Sequence, residues 1–272
     1  MIFCKFIFVI LVYRNTEDVI DCLNSIQEKV ADYKVIIVNS YYDDYTQKKF
    51  KEIAEKYQCD FINVPNKGYG YGNNCGMKYA KEKYAFEYLV VSNPDIVIKK
   101  FDETVLDVLN GYDVYAPIIR NKNGKHQNPY WTSEIKCAEQ LIYEGQKRKR
   151  RIILYSGYLI HKIVRVLTLR QFLNSSKNTI TIFAAHGSFC VLNKKLIDKM
   201  SKVYDENMFL FAEEAYLAHE LKRMKCKVAL TKAIEIYHKE DGSMKLSKID
   251  ENDIERQSVI YYYETYVRGK KS

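Results

Sequence analysis

The sequence lacks the marks of a disulfide framework, a zinc site, an exported chain and a phosphate-binding glycine fingerprint. Its seven cysteines (4, 22, 59, 75, 137, 190 and 226) are dispersed and form no C-x-x-C pair. That spacing gives no zinc pattern and fits reduced thiols in a cytosolic protein. Cys4, Cys22 and Cys190 lie in apolar stretches and read as small core residues. The apolar opening, 1–13, is interrupted by Lys5 and followed by no small-residue cleavage site. It is too short to span a bilayer and reads as a buried first strand, so the expected location is the cytoplasm. The glycine-rich segment 66–76 has Asn73 as the sixth position from Gly68 and Cys75 as the sixth from Gly70, and no G-K-[ST] follows. Both registers of G-x-G-x-x-G fail, which disfavours a dinucleotide or P-loop site. Acidic residues are numerous and mixed with basic ones, unlike a nucleic-acid surface, so no nucleic-acid partner is expected.

What is present describes a folded chain. Its 272 residues are 47% apolar and 28% charged, enough for a substantial core. Net charge is +9 with a pI near 9.0, which favours an anionic partner. Five of the positive charges form one run, Lys147-Arg148-Lys149-Arg150-Arg151.

The first half alternates strands with helices. Strands are read over 6–13, 35–38, 61–64, 88–92 and 114–116, with helices over 17–29, around 50–57, from about 73, and over 101–109. That alternation predicts a mostly parallel sheet with helices on both faces. Residues 120–180 break it: polar loop signals over 121–128 lead to the basic run and then a helix over 152–173. On that helix Ile152, Tyr155, Leu159, Ile163, Val166 and Leu167 share one face, and His161, Arg165 and Thr168 lie opposite. A strand through 189–192, helices over 194–200 and 213–224, two short strands near Val228 and Ile234, and a tyrosine-rich closing helix over 255–267 complete the reading.

Asn93-Pro94-Asp95 carries the most chemistry. It follows the apolar strand ending at Ser92, and the proline, which cannot join a ladder, places Asp95 at the strand's C-terminal exit. Ligands of open α/β sheets collect there, and a carboxylate in that position is suited to a metal or a phosphate. His238 ends a late strand and reads either as a further ligand or as a structural histidine. Glu213-Glu214 opens an amphipathic helix, so the acids either complement its dipole or divide into an anchor and a general base. In the segment 66–76, glycines at 68, 70, 72 and 76 permit sharp turns and close approach to a ligand, or serve turns alone.

Taken in order, these motifs resemble the family 2 glycosyltransferases, the inverting GT-A class, and within it rhamnosyltransferase-like enzymes. Val12-Tyr13-Arg14-Asn15 is similar to the first-strand exit that cradles the nucleotide base, and 35–44 to the second-strand segment. The 66–80 segment, reading N-x-G-x-G-x-G-N-N-x-G over 66–76, is similar to the family's glycine- and asparagine-rich segment, and Asn93-Pro94-Asp95 stands at the D-x-D-like metal motif. Residues 187–192 are similar to the strand lining the acceptor side, 209–214 to the segment with the catalytic acid pair, and His238 with Gly242-Ser243 to the late metal-binding histidine. Three positions depart from the pattern: Asn39 where an aspartate reads base or ribose, Asn93 at the first D-x-D-like position, and Glu-Glu where Glu-Asp is usual.

The resemblance implies a GT-A-like, Rossmann-related, mostly parallel sheet flanked by helices, with a helical insertion. It implies a nucleotide-sugar-binding half over 1–118, a basic helical insertion over 119–180, and an acceptor and catalytic half with the C-terminal helix over 181–272, one domain overall. The implied activity is transfer of a sugar from a nucleotide-diphosphate sugar to a hydroxyl acceptor, a lipid-linked glycan in surface or capsular polysaccharide assembly. Glu214 would be the base and Glu213 the second acid; Tyr13, Asn15, Asn39, Asn66, Gly68 and Asn73 would bind the nucleotide. Asp95 and His238 would hold Mg²⁺ or Mn²⁺. A nucleotidyltransferase and an inactive nucleotide-sugar-binding protein remain as alternatives. The basic run and the helix after it fit either an anionic membrane surface or a helix packed over the acceptor cleft with solvated charges.

Overall fold

A computed structural model describes residues 2–109, 111–240 and 250–269. The first strand, β1 (Ile2–Val12), explains why its sequence is an unbroken apolar run. Phe6, Phe8, Ile10 and Val12 enter the core on one face of the sheet, and Ile7 and Val9 enter the core on the other. A strand covered on both faces needs no polar alternation.

Helix α1 (Glu17–Lys29) and strand β2 (Tyr33–Ser40) follow, then α2 (Asp44–Lys56), β3 (Asp60–Val64), α3 (Tyr69–Lys83), β4 (Tyr84–Ser92), β5 (Ile96–Phe101), α4 (Glu103–Val108) and β6 (Val114–Asn121). The middle of the chain forms α5 (Lys136–Lys147) and α6 (Arg151–Leu173). The last part adds β7 (Thr179–Ile182), β8 (Phe189–Asn193), α7 (Lys194–Lys199), α8 (Glu213–Arg223), β9 (Val228–His238) and α9 (Glu251–Tyr262), which runs on into a π-helical stretch over Tyr263–Arg268.

The sheet runs β3-β2-β1-β4-β8-β6-β9-β5, with β7 on β9. Its first four strands are parallel, as expected. Beyond them β8 is antiparallel to both β4 and β6, and β9 is parallel to β6 but antiparallel to β5 and β7. The sheet is therefore mixed rather than mostly parallel. Apolar runs buried on both faces look alike in either direction, which is why the sequence pattern misses the reversal.

Three local readings also change. Residues 96–101 form a strand that the sequence reading left unassigned up to Phe101, and α4 begins at Glu103 rather than at 101. Helix α3 begins at Tyr69, ahead of the position near 73. The two short strands near Val228 and Ile234 are one strand, β9, whose register on β6 shifts between Pro117 and Ile118. Helix α5, absent from the sequence reading, packs against α6 and α9. Gly242 and Ser243, read beside His238, lie outside the described residues.

Candidate active site

Strand ends gather the candidate residues at one edge of the sheet. Asp95 sits in the tight connection from β4 to β5, held by Asn93 N donating to Ser188 O at 2.9 Å and Lys239 N donating to Asp95 O at 2.9 Å. Ile96 is paired with His238 across β5 and β9, so the register itself delivers the histidine to the aspartate. His238 Nε2 lies 3.2 Å from Asp95 Oδ1, and its Nδ1 lies 2.7 Å from Gln127 Oε1. Both residues are buried, at 5% and 7% exposure. The Nδ1 partner fixes the ring with Nε2 toward the carboxylate, a common way of orienting a metal-binding imidazole.

The acid pair opens α8 through a strained entry. Phe211 and Ala212 have φ of 72° and 66°, a conformation that non-glycine residues rarely take and that costs on the order of 1–3 kcal/mol each. Their packing directs Glu213 inward and leaves Glu214 partly exposed, the division into anchor and outward acid that two adjacent carboxylates allow. Burial, then the neighbouring Glu214, push the Glu213 carboxyl well above the usual range. Burial also raises Glu214, against its own backbone N–H and that of Gly187. Gly187 N donates to Glu214 Oε1 at 3.2 Å.

The short loop 186–188 joins the two halves of the site. His186 faces His238 edge-on at 5.9 Å, while Gly187 holds Glu214. Tyr69 Oη donates to Gly187 O at 2.8 Å, and Asn128 Oδ1 accepts from His186 N at 2.7 Å. Burial, then His238 and Arg165, depress the His186 imidazole to about 3. Its ring is therefore neutral, with Nδ1 2.9 Å from Ser188 Oγ.

The nucleotide-side residues divide. Tyr13 meets Tyr42 edge-on at 5.6 Å, and the Arg14 guanidinium lies 4.1 Å from the Tyr42 ring centre, giving an aromatic and cationic wall at the β1 and β2 exits. Asn39 is fully buried; its Nδ2 donates to Asn63 Oδ1 at 2.7 Å, and its Oδ1 has no partner. Asn15 is engaged locally, donating to Asp18 Oδ2 at 2.5 Å and accepting from Glu17 N at 3.0 Å. Asn66 is exposed on the approach to α3. Asn73 is buried within the first turns of α3, with Nδ2 on Tyr69 O at 3.1 Å and Oδ1 unpartnered. Gly68 has φ of 106°, and a Cβ there would meet Phe209 O at 2.3 Å, so this glycine is required by the segment leading to the acid pair.

Gln127, Asn128 and His186 are absent from the sequence reading, where Tyr69 enters only as a position of the 66–80 segment and Arg165 only as a position on the helix over 152–173. Gln127, Asn128 and His186 stand in no motif, and only the polar segment 121–128 marked the neighbourhood of the first two. Among the described residues Arg165, half-buried on the inner side of α6, has no ion-pair partner, although it acts electrostatically on His126 and His186. A separate group, Glu134, Glu139 and His219, brings ligand atoms within 4.8 Å of one another, with His219 Nε2 2.9 Å from Glu139 Oε2 and Lys222 already paired to Glu134. It shares no residue with the Asp95–His238 pair.

Comparisons with known proteins bear on the family and the fold. The model of glycosyl transferase family 2 matches residues 7–200. The low-salt glycan biosynthesis hexosyltransferase Agl10 of Haloferax volcanii is 21% identical over 234 residues, 85% of this chain and 66% of that protein. Rhamnosyltransferase WbbL of Escherichia coli is 31% identical over 101 residues, 35% of this chain and 37% of that protein. The chain thus spans less than two-thirds of the length of either relative. Among solved structures, GalNAc-T7 with UDP, GalNAc and Mn²⁺ superposes with a TM-score of 0.58 at 9% identity, covering 86% of this chain and 44% of that one. The Staphylococcus aureus TarS 1-349 structure gives a TM-score of 0.53 at 12% identity, over 98% of this chain and 73% of that one. These neighbours establish the GT-A fold, and with a family match across most of its length the chain belongs to glycosyl transferase family 2.

Proposed function

We propose that the chain is an inverting glycosyltransferase that moves a hexosyl or rhamnosyl group from a nucleotide-diphosphate sugar to an acceptor hydroxyl. The observation supporting this most strongly is the 186–188 loop, which touches His238 on one side and Glu214 on the other. Donor phosphates and acceptor can then share one cleft.

Asp95 and His238 offer a carboxylate oxygen and an imidazole nitrogen 3.2 Å apart, a small donor set that fits Mg²⁺ or Mn²⁺ and leaves positions for phosphate oxygens and water. Such a cation, when bound, offsets the negative charge growing on the departing diphosphate. Tyr13, with Tyr42 and Arg14, flanks the base, while Asn39, fully buried and bonded to Asn63, shapes the β2 exit from within rather than touching the base. Asn66 contacts the donor from the approach to α3, while Asn15, Gly68 and Asn73 shape the loops around it. Glu214 takes the proton from the acceptor hydroxyl as its oxygen bonds to the anomeric carbon from the face opposite the leaving diphosphate. Glu213, buried beside it and holding a proton more tightly than an exposed glutamate would, anchors the helix entry. The acceptor is a lipid-linked glycan in surface or capsular polysaccharide assembly, reached from the cytoplasmic face of the membrane.

A panel of UDP-, dTDP- and GDP-sugars, each with Mn²⁺ or Mg²⁺, tests the reading by thermal stabilisation followed by turnover. One donor class should stabilise the protein, and Glu214→Gln should lower its transfer or hydrolysis by about 10²–10⁴-fold. Full turnover in that variant would remove the base assignment. Stabilisation without turnover in wild type would make the chain a binding protein.

A further inference from the structure

Helix α6 presents its apolar side to solvent. Ile152, Tyr155, Leu159, Ile163, Val166 and Leu167 are exposed by 51–85%, whereas Gly157, His161, Leu169 and Phe172 on the other side are buried. The inner side is fastened to the fold. A Cβ at Gly157 would meet Ala138 O on α5 at 2.6 Å, the His161 ring stacks on Trp131 at 4.4 Å, and Tyr158 Oη donates to Glu255 Oε1 at 2.5 Å. Six large apolar side chains in a row over four turns form a contiguous strip rather than scattered surface residues.

Along this stretch of chain the charge is of one sign, while Asp250, Asp253 and Glu255 line a pocket with Lys149, Arg151 and Tyr155 beside the start of the helix. No aspartate or glutamate occurs between Glu144 and Asp198. Lys149, Arg150 and Arg151 stand at the N-terminus of α6, where cations oppose the helix dipole, and make no ion pair among the described residues. Lys162 and Arg170, along and beyond the strip, are likewise unpaired among the described residues, and their stems can lie along an apolar surface while the heads stay wet. A second copy of the chain would set these cations against each other, whereas an anionic lipid surface complements both the strip and the charges.

We infer that the outer face of α6, with the cations that precede it, docks the protein in the plane of an anionic lipid bilayer. The helix is long and apolar enough to cross a membrane by length and composition, with mean hydropathy 1.4 over its best window. Spanning would require it to leave α5 and Trp131 and carry Lys162 and Arg165 into the hydrocarbon, so the in-plane arrangement keeps the fold intact. The inner side of the same helix bears Arg165, which acts electrostatically on His186 of the site loop. Docking on the outer side therefore sets the cleft at the headgroup level, where a lipid-linked hydroxyl would be presented. This deepens the lipid-linked acceptor reading and rests on it only for that last step.

The test needs no nucleotide sugar, so its failure is separable from failure of the transferase reading. The full chain is floated with phosphatidylcholine vesicles, with and without phosphatidylglycerol, alongside Leu159→Glu/Ile163→Glu and Lys149→Glu/Arg150→Glu/Arg151→Glu variants. Exposed positions should leave melting temperatures unchanged. Wild type should partition onto anionic vesicles only, with affinity falling as salt rises. Both variants should lose binding, by roughly fivefold or more per cation removed in the second. Tyr155→Trp should show a blue-shifted emission on those vesicles. Absence of vesicle binding, or a dimer in solution that the Leu159→Glu/Ile163→Glu variant dissociates, would overturn the inference.

Discussion

At the residue scale, the two adjacent acids differ in burial. Glu213 is 4% exposed with an unpartnered Oε1, and its carboxyl holds a proton far more tightly than in the unfolded chain. The contribution of Glu213 to stability is therefore fully present at low pH and erodes as pH climbs above the ordinary glutamate value of 4.5. Glu213→Gln should stabilise the protein relative to wild type, with the gap widening by up to about 1.4 kcal/mol per pH unit above that value. Melting curves between acid and alkaline pH check this, and a gap independent of pH would contradict it. His238 depends in turn on Gln127, so Gln127→Leu should weaken metal-dependent donor binding by about 10–100-fold while leaving the melting temperature close to wild type. Asp95 and Glu214 were legible because each sits at a strand exit or helix start that the sequence itself marks. Gln127, Asn128 and His186 were not, since their roles arise only when the 121–128 and 186–188 segments meet.

At the element scale, the site is assembled by close packing between segments far apart in the chain. Tyr69 N donates to Phe209 O at 2.8 Å, and Asn74 accepts from Val203 N and Tyr204 N at 3.2 Å each, tying α3 to the segment before α8. Gly68→Ala puts a methyl group into the Phe209 carbonyl and forces a positive φ on an ordinary residue. It should cost roughly 1–3 kcal/mol, seen as a lowered denaturant midpoint, and depress turnover further through displacement of Glu214. Unchanged stability would show that the segment before α8 yields without resistance. The glycine-rich segment was legible as a place of close approach, yet its neighbours are protein: backbone at Gly68 and Gly70, and the side chains of Leu11 and Val9 at Gly72 and Gly76. Strand β5 was missed because it has only six residues and includes Lys99 and Lys100, and α5 because its apolar positions are few among charges.

At the scale of the whole molecule, one hydrophobic core draws on every part of the chain. Ile7, Trp131, Leu169, Leu192 and Tyr262 belong to the same cluster, so the three segments read from sequence are not independent structural units. Calorimetry should show one unfolding transition with matching calorimetric and van't Hoff enthalpies, and two resolved transitions would contradict that unity. The alternation of strands and helices was legible, because each apolar run and cap is local. Strand direction in the second half was not, because it depends on how β8 and β9 thread between strands already in place.

The most direct test of a shared cleft is titration calorimetry of the donor identified by the panel, with Mn²⁺ present and absent, on wild type, Asp95→Ala and Glu214→Gln. Metal-dependent binding should be lost in Asp95→Ala and nearly unchanged in Glu214→Gln, whose turnover is nonetheless lowered by about 10²–10⁴-fold. Donor binding that is indifferent to Asp95, or that disappears with Glu214, would contradict the assignment of phosphate and acceptor chemistry to these residues.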